Sequence, residues 1–586
     1  MVFVIWEFPR VIIFTVFGSD VQVKIKSENV KPSSIEEVVQ ALLRVRGLEK
    51  SSVVEDFFSP SHPLDLEPNS VDLNAEFLSL AKEKIENAIS ENRPIVIHGD
   101  YDVDGLCATA ILWEAIYREL GYKKCLPFIP NRFDHGYGFS EDSLREITNY
   151  KFQVQNKEKP LIVTVDCGVT AHRPLELAGE KGFDVLVTDH HQRDSQFEET
   201  FGSEYDLRDI LWTDETCGAG IAWFLARSLL GEKSDQFLDL VSLAAIADIE
   251  PLLGTNRSLV KFGLDKLNES PRRLGLQSLA KIAGVDERRI GLYEIGWVLA
   301  PRLNAAGRLD EAIKSLRLLC TEDEKQANSL AQELDRINRE RQETTEKMLA
   351  TAKMSVDKEQ LAIVTVDPAY HEGVIGLLAG KLVEKYHRPV LAISEGGQVS
   401  KGSARSVKGF DVIAALRELA NYLVDVGGHP MAAGFTLETE KLPEFQAAFY
   451  SLVKEQVTPE LLCAEKAADL DLPLSLVCWD LWEEVKKFEP FGRANPRPVF
   501  WSDQLGVVDV TVVGKDKKHL KLRLQDTGDT ALGGKTFPAI GFGLGSDSEG
   551  LRLGSRIDAL FNLSENVWNG NRTLQLQIKD FRLHEE

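Results

Sequence analysis

The sequence predicts an α/β protein in three parts: a parallel-sheet domain, a long helix leading to a smaller α/β domain, and a C-terminal all-β barrel. Three observations carry this prediction. Short β-branched runs alternate with helical stretches from Ile95 to Thr188 and again from Leu361 to Ser394, which is the βαβ pattern of parallel sheets. Between them, Glu322 to Met354 runs without Pro or Gly and repeats apolar residues at Ala327, Leu330, Ala331, Leu334, Ile337 and Met348, as one amphipathic helix does. After Glu489 the pattern changes to short strands separated by turns rich in Gly, Asp and Asn. With 586 residues, three to four domains of about 150 residues are expected. The expected boundaries are an N-terminal extension and helical segment at 1–92, the parallel-sheet domain at 93–321, the connecting helix at 322–355, the smaller domain at 356–460 and the barrel at 461–586.

Each element follows from local pattern. The apolar start, Val2 to Phe17, is interrupted by Glu7, Pro9 and Arg10, short of the ~20 apolar residues a membrane span needs. It also lacks the marks of a signal peptide, so a short strand or a poorly ordered extension is expected there, and no membrane association. Strands are expected at Ile95–His98, Leu161–Val165 and Val185–Thr188, with helices over Leu106–Leu120 and Pro174–Lys181. The Glu322–Met354 helix would be about 50 Å long at 1.5 Å per residue and would bridge two domains. Strands at Leu361–Val366 and Val390–Ser394, separated by a helix over Val374–Lys385, build the second α/β segment. Five strands close the chain, at Leu505–Val513, His519–Leu524, Pro538–Phe542, Arg556–Leu563 and Thr573–Ile578, and an OB-fold is the natural five-stranded barrel.

Composition narrows the partners. With 68 Lys+Arg against 91 Asp+Glu, the formal net charge is -23, which excludes coating nucleic acid through bulk positive charge. An enzyme whose carboxylates hold metal ions is not excluded. From Glu489 onward, 13 Lys+Arg balance 13 Asp+Glu, and Lys515, Lys517, Lys518, Lys521 and Arg523 cluster as a candidate nucleic-acid-binding strip. Phe500, Trp501 and Phe537 are available to stack on bases. Seven scattered cysteines without a CxxC fit neither a disulfide framework nor a thiolate zinc site, so a reducing cytoplasm is the expected location.

The densest chemical signal is His98-Gly-Asp-Tyr-Asp-Val-Asp-Gly105, directly after the first predicted strand. Three carboxylates at alternate positions repel one another unless a cation neutralises them. Further acids recur along the same segment: Asp166, then Asp189-His190-His191, then Asp248 in Ala244-Ala-Ile-Ala-Asp-Ile. A single Asp at a strand end reads as a helix N-cap, and a His-His pair as structural; four such points in one parallel-sheet segment read as a metal site. Carboxylate mixed with imidazole, without thiolate, suits Mn²⁺ or Mg²⁺. The ligands suffice for two ions ~3.5–4 Å apart, one activating water while both neutralise phosphate oxygens.

In order, Asp100-Tyr-Asp-Val-Asp-Gly105, Val165-Asp-Cys-Gly168, Asp189-His-His191 and Ala247-Asp248 resemble the four motifs of the DHH phosphoesterase superfamily. Pro301-Arg-Leu-Asn-Ala-Ala-Gly-Arg308, Gly402-Ser-Ala-Arg-Ser406 with Gly409-Phe-Asp411, Gly427-Gly-His-Pro-Met-Ala-Ala-Gly434 and Glu489-Pro-Phe-Gly-Arg-Ala-Asn-Pro496 resemble its RecJ branch, including the DHH-associated domain. The resemblance runs from about Val39 to the C-terminus. It implies a parallel-sheet DHH domain joined by the long helix to a DHH-associated domain, with an OB-fold last. It implies a two-metal site of Asp102, Asp104, Asp166, His190 and Asp248 with Asp166 as bridge, and Asp100 and His98 as further ligands or supporting partners. His191 is expected to face the scissile phosphate.

Substrate-binding candidates are Arg132, Arg302, Asn304, Arg308, Ser403, Arg405, Ser406 and His429, since arginine's planar fork suits phosphate; each arginine taken alone also reads as a tie between helix and loop. The activity implied is metal-dependent hydrolysis of single-stranded DNA from the 5' end to 5'-mononucleotides, in repair and recombination, by a monomer that a single-strand-binding protein or a helicase assists. The alternatives are a phosphoesterase of short oligonucleotides or small nucleotides, which would not need the barrel, and a silent replication scaffold, which would have lost ligands. Two departures from the family pattern stand out: the acidic stretch Gln196 to Asp214, where a proline-containing strand is expected, and Ala369-Tyr-His-Glu-Gly-Val-Ile-Gly376 in place of Trp-His-x-Gly.

Overall fold

The structure is a computed structural model describing residues 10–16, 19–27, 31–149, 160–193, 209–269, 273–285, 290–357, 359–526, 535–568 and 570–584. The chain divides into two compact units, residues 59–348 with 492–494, and residues 1–58, 349–491 and 495–586. Of the apolar start, residues 2–9 and 17 lie outside the described residues, while β1 (Arg10–Val16) forms an antiparallel hairpin with β2 (Ser19–Ile25) in the second of these units.

The first unit is built on five parallel strands, β3 (Ile95–Gly99), β4 (Cys125–Phe128), β5 (Leu161–Val165), β6 (Asp184–Asp189) and β7 (Ile210–Trp212), in the order β4-β3-β5-β6-β7. Every residue of β3 and β5 is buried, because helices cover both faces of the sheet; this is why their runs are apolar apart from His98 and Thr164. Alternation still sorts the side chains. Ile95, Ile97, Val163 and Val165 join Leu106, Ile111, Ile221, Phe224 and Val241 on one face, while Val96, Ile162, Val185 and Val187 join Leu144 and Leu175 on the other. Burying each such aliphatic side chain contributes about 1.5–3 kcal/mol.

Three helices on the first face bear on the site: α1 (Val103–Trp113), α2 (Gly218–Leu230) and α3 (Leu238–Ala247). Further along lie α4 (Ala300–Leu309) and the long α5 (Glu324–Ser355). At 32 residues, α5 extends about 48 Å, and the boundary between the units falls within it, after Met348. Of the departure predicted over Gln196–Asp214, residues 196–208 lie outside the described residues; the remainder includes β7.

In the second unit, β8 (Ile363–Asp367), α6 (Ile375–Tyr386), β9 (Val390–Ser394), β10 (Val399–Arg405), β11 (Leu423–His429) and β12 (Ala432–Glu438) follow one another. The sheet order is β11-β12-β10-β9-β8, with only β8 and β9 parallel. β13 (Ala464–Ala468) then pairs in parallel with β2 of the N-terminal hairpin, and Val23 and Ile25 pack with Ala468, Trp501 and Leu560.

The barrel consists of β15 (Phe500–Val513), β16 (His519–Asp526), β17 (Thr536–Gly541), β18 (Arg556–Trp568) and β19 (Asn571–Leu583), preceded by the short β14 (Leu470–Asp471). It closes because β15 pairs with both β16 and β18, giving the five-stranded OB arrangement. One expectation is corrected here. Phe500, Trp501 and Phe537 are all buried and cannot stack on bases: Phe500 lies against Phe561, Trp501 on the opposite face of β15 packs with Val23, Ile25 and Leu560, and Phe537 alternates with buried Ala539 along β17. The exposed aromatics of this region are Phe542 and Trp568. Among the described residues, no helix is long and apolar enough to cross a membrane.

Candidate metal centre

The strand order of the first unit reverses between β3 and β5, and ligands of open parallel sheets gather at the carboxyl ends beside such a switch. There the chain turns sharply. Gly105 passes so close to Asp100 that a Cβ would lie 2.6 Å from its backbone nitrogen. Asp102 caps α1, its Oδ1 accepting from the backbone nitrogens of Asp104 at 3.0 Å and Gly105 at 3.2 Å. The helix-cap reading of this residue therefore holds, and it is compatible with the metal reading. Asp104 lies in the first turn of α1, and its two oxygens accept from Gly218 at 2.7 Å and Ala219 at 2.8 Å, the first backbone donors of α2. A helix N-terminus favours the carboxylate that it holds.

Asp166 follows β5 in a left-handed conformation with φ 58. Its approach to α2 requires Gly218, where a Cβ would stand 2.7 Å from the Asp166 Cβ. Asp248 ends α3, and the next residue, Ile249, takes φ 62, a strained value for a β-branched side chain. Asp189, at the end of β6, organises the histidine pair: its Oδ1 accepts from the backbone of His190 at 2.7 Å and bonds His191 Nδ1 at 2.8 Å.

These elements bring the predicted ligands together. His190 Nε2 lies 3.0 Å from Asp166, 3.6 Å from Asp104 and 3.9 Å from Asp248. Among the described residues, three groupings have ligand atoms within 4.8 Å of one another: Asp100, Asp102 and Asp166; Asp104, His190 and Asp248; and Asp166, His190 and His191. Asp166 belongs to two of them. Its Oδ1 is buried and takes no well-formed hydrogen bond, although buried polar atoms are normally paired; the neighbour at 3.0 Å is His190 Nε2. Burial and the charge of Asp104 hold its carboxyl well above the usual range. Burial and Asp102 push Asp100 up to about 8, while burial and Asp104 push Asp248 up to about 8. Such mutual repulsion among buried carboxylates and an oxygen/imidazole donor set fit hard divalent cations.

The remaining candidates occupy distinct surroundings. His98 is fully buried against Phe128 and Phe139, with Nδ1 3.6 Å from Cys167 Sγ, and belongs to none of the three groupings. His191 Nε2 bonds the Tyr137 hydroxyl at 2.9 Å. Burial alone would lower the pKa of His191, but Asp189, with Asp100 and Asp102, outweighs it and raises it to about 9. Asn304 Oδ1 accepts from Val103 N at 3.0 Å, tying α4 to the acidic loop. Arg132 lies over the Tyr101 ring at 5.4 Å. Burial, then the charges of Arg132 and Arg341, lower Arg308 to about 10. Arg302 instead bonds Asp335 of α5 at 2.9 Å.

In the second unit, Arg405 donates to Ser403 Oγ at 3.3 Å, and both border Gly376 in the first turn of α6. His429 is exposed at the end of β11. Ser406 is buried and donates to the Phe410 carbonyl at 2.6 Å. Lys515, Lys517, Lys518, Lys521 and Arg523 are all exposed.

Sequence reasoning missed Glu250, Tyr137 and Asp335. Glu250 lies 3.8 Å from His190 Nδ1 and is raised to about 7 by burial and Asp104; its place two residues after Asp248 was a usable signal. For Tyr137 and Asp335, whose partners are 54 and 33 positions away, there was none.

Three family models match the chain: the DHH family N-terminal domain over residues 94–246, the DHHA1 domain over 358–455 and the RecJ OB domain over 468–580. The single-stranded-DNA-specific exonuclease RecJ of Bacillus subtilis is 34% identical over 518 residues, 86% of this chain and 63% of the relative. The chain therefore spans just under two thirds of that relative's length. The Salmonella typhimurium RecJ is 32% identical over 85% of this chain and 89% of its own length. The crystal structure of Thermus thermophilus RecJ in complex with Mn²⁺ matches with a TM-score of 0.78 and 31% identity, covering 97% of this chain and 80% of that one. Its Mg²⁺ complex matches at 0.72.

Proposed function

The chain belongs to the RecJ family of single-stranded-DNA-specific exonucleases, and from that premise we propose that it hydrolyses single-stranded DNA from the 5' end to 5'-mononucleotides with two divalent cations, Mn²⁺ or Mg²⁺. The observation that carries the reading is the convergence of Asp102, Asp104, Asp166, His190 and Asp248, with the buried Asp166 Oδ1 at its middle. These five residues would hold the ions, with Asp166 shared. Bound there, the cations supply a water nucleophile at neutral pH and neutralise charge on the phosphate.

The protein's own residues do the rest. Asp189 and Tyr137 orient His191 towards the phosphate from either side of its ring. Asp100 adds negative charge beside the shared ligand, and His98 supports the loop from behind. Arg132 and Arg308 grip phosphate oxygens, while Asn304 fixes the acidic loop and Asp335 fixes Arg302. Ser403, Arg405 and His429 offer further donors to the strand, with Ser406 closing their turn, and the exposed Lys515 to Arg523 strip guides it by charge.

A substrate that must be single-stranded implies a preceding helicase-type reaction or a single-strand-binding protein that keeps strands open. Seven free cysteines support a reducing cytoplasm, where a monomer is expected. The test compares 5'-labelled single-stranded and blunt duplex DNA with Mn²⁺ or Mg²⁺. Release of labelled mononucleotide from the single strand alone is expected, with loss in Asp166→Ala. Equal cleavage of both substrates overturns the specificity, and an active Asp166→Ala overturns the centre.

A further inference from the structure

Two of the most exposed aromatic side chains of the first unit have no role in the site so far described. Tyr293 is 67% exposed and Trp297 76% exposed. Large aromatic surface left in water is unfavourable unless something covers it in use. Both lie on the helical segment that leads without a break into α4, through a π-helical stretch at Glu294–Leu299. Such stretches recur at functional sites because they re-aim side chains. The segment is firmly started, since Glu294 accepts from the Gly291 backbone nitrogen at 3.0 Å, and the inner residues Ile295 and Leu299 are buried. The aromatics are thus held outward on a rigid support.

Their face is the informative feature. Asn304 and Arg308, four apart on α4, share one side of it, and Tyr293, Trp297 and Pro301 carry the same four-residue spacing back through the wider turns of the π-helical stretch. The far end of that stripe is already in the site. Asn304 bonds the backbone of the acidic loop, and Gly307 lets α4 approach so closely that a Cβ there would lie 2.8 Å from the Tyr101 carbonyl oxygen. Trp297 stands seven residues before Asn304, about 10 Å along the axis, near enough for one bound strand to touch both.

We propose that Tyr293 and Trp297 form a stacking platform for bases of the single strand beside the scissile phosphate. Every base has a π-face, so such a platform binds without reading sequence, as an exonuclease requires. It accepts a single strand and rejects a duplex, whose base faces are already covered by their neighbours. The occupant is the substrate rather than a protein partner because the stripe is continuous with Asn304 and Arg308, which the proposed function sets beside the scissile phosphate. The inference rests on the single-stranded-DNA reading above.

Binding to a 5'-phosphorylated oligothymidylate, and to versions carrying one abasic nucleotide at successive positions, would be measured by fluorescence anisotropy in an Asp166→Ala background. Adding Trp297→Ala should weaken binding about tenfold or more, the size of one lost stacking contact, while Trp297→Phe should largely retain it. One abasic position should cost the Trp297-containing protein a similar factor and cost the Trp297→Ala protein nothing further. Binding unchanged by Trp297→Ala, or an abasic penalty that persists in it, overturns the platform. Failure of the metal-centre reading would appear separately, as cleavage by the Asp166→Ala protein.

Discussion

Asp100 and Asp248 both keep their protons to about pH 8 in the metal-free protein, through burial and the charges of Asp102 and Asp104 respectively. An unfolded chain releases those protons near the ordinary aspartate value of about 4. Between the two values the folded protein binds more protons than the unfolded one, so its stability falls as pH rises. Cations that occupy the centre displace these protons and remove the penalty. The rise in Tm on adding Mg²⁺ should therefore be larger at pH 8 than at pH 6, and a rise independent of pH would contradict it. Tyr137 permits a cleaner test at the same scale. Its hydroxyl bonds His191 Nε2, and a hydrogen bond to a partly charged group is worth about 1–2 kcal/mol. Tyr137→Phe should lower kcat about fivefold to thirtyfold with little change in KM or Tm, the side chain being largely exposed; a Tm loss that accounts for the activity loss would count against this role.

Elements hold the centre more than any one ligand does, and α2 shows how. Its first two donors bind Asp104 while its first residue, Gly218, leaves room for Asp166. Gly218→Ala should displace Asp166 and weaken metal binding by tenfold or more on the scale of lost supporting contacts, read by Mn²⁺ titration calorimetry; unchanged affinity would show that α2 yields. On α5, Asp335 pairs with Arg302 at 2.9 Å and Arg339 at 2.7 Å. Asp335→Ala leaves the mostly buried Arg302 uncompensated, which should cost about 3 kcal/mol of stability in chemical denaturation, and a loss below about 1 kcal/mol would show that Arg302 finds another partner.

These contrasts mark what sequence could show. The acids after β3, β5 and β6 were legible because parallel sheets place ligands at strand ends, and the close-approach glycines travelled with them. Tyr137 and Asp335 were not, since packing between distant segments brings them in. Phe500 and Trp501 misled because β15 begins five residues before the strand expected at Leu505, and both faces of that early stretch are covered, one by Phe561 and the other by the N-terminal hairpin.

Across the whole molecule, a net charge of -23 coexists with membership of a DNA-degrading family. The distribution resolves this. Buried acids at the proposed metal centre would become cation sites, and the barrel carries no net charge from Glu489 to the C-terminus yet presents Lys521 and Arg523 from the outer face of β16, where buried Leu520, Leu522 and Leu524 alternate with them. Both can meet phosphates while the leucines keep the barrel closed. Phosphate neutralisation releases counterions, so each contact adds about 0.7 to the slope of log affinity against log salt for a single strand. The double variant Lys521→Ala, Arg523→Ala should therefore bind oligothymidylate more weakly at low salt and lose roughly 1.4 from that slope. Its affinity should approach that of the unaltered protein as salt rises, because screening removes the same contribution from both. A parallel line, displaced but equally steep, would mean that the two residues act through barrel packing and that the strand is guided by another surface.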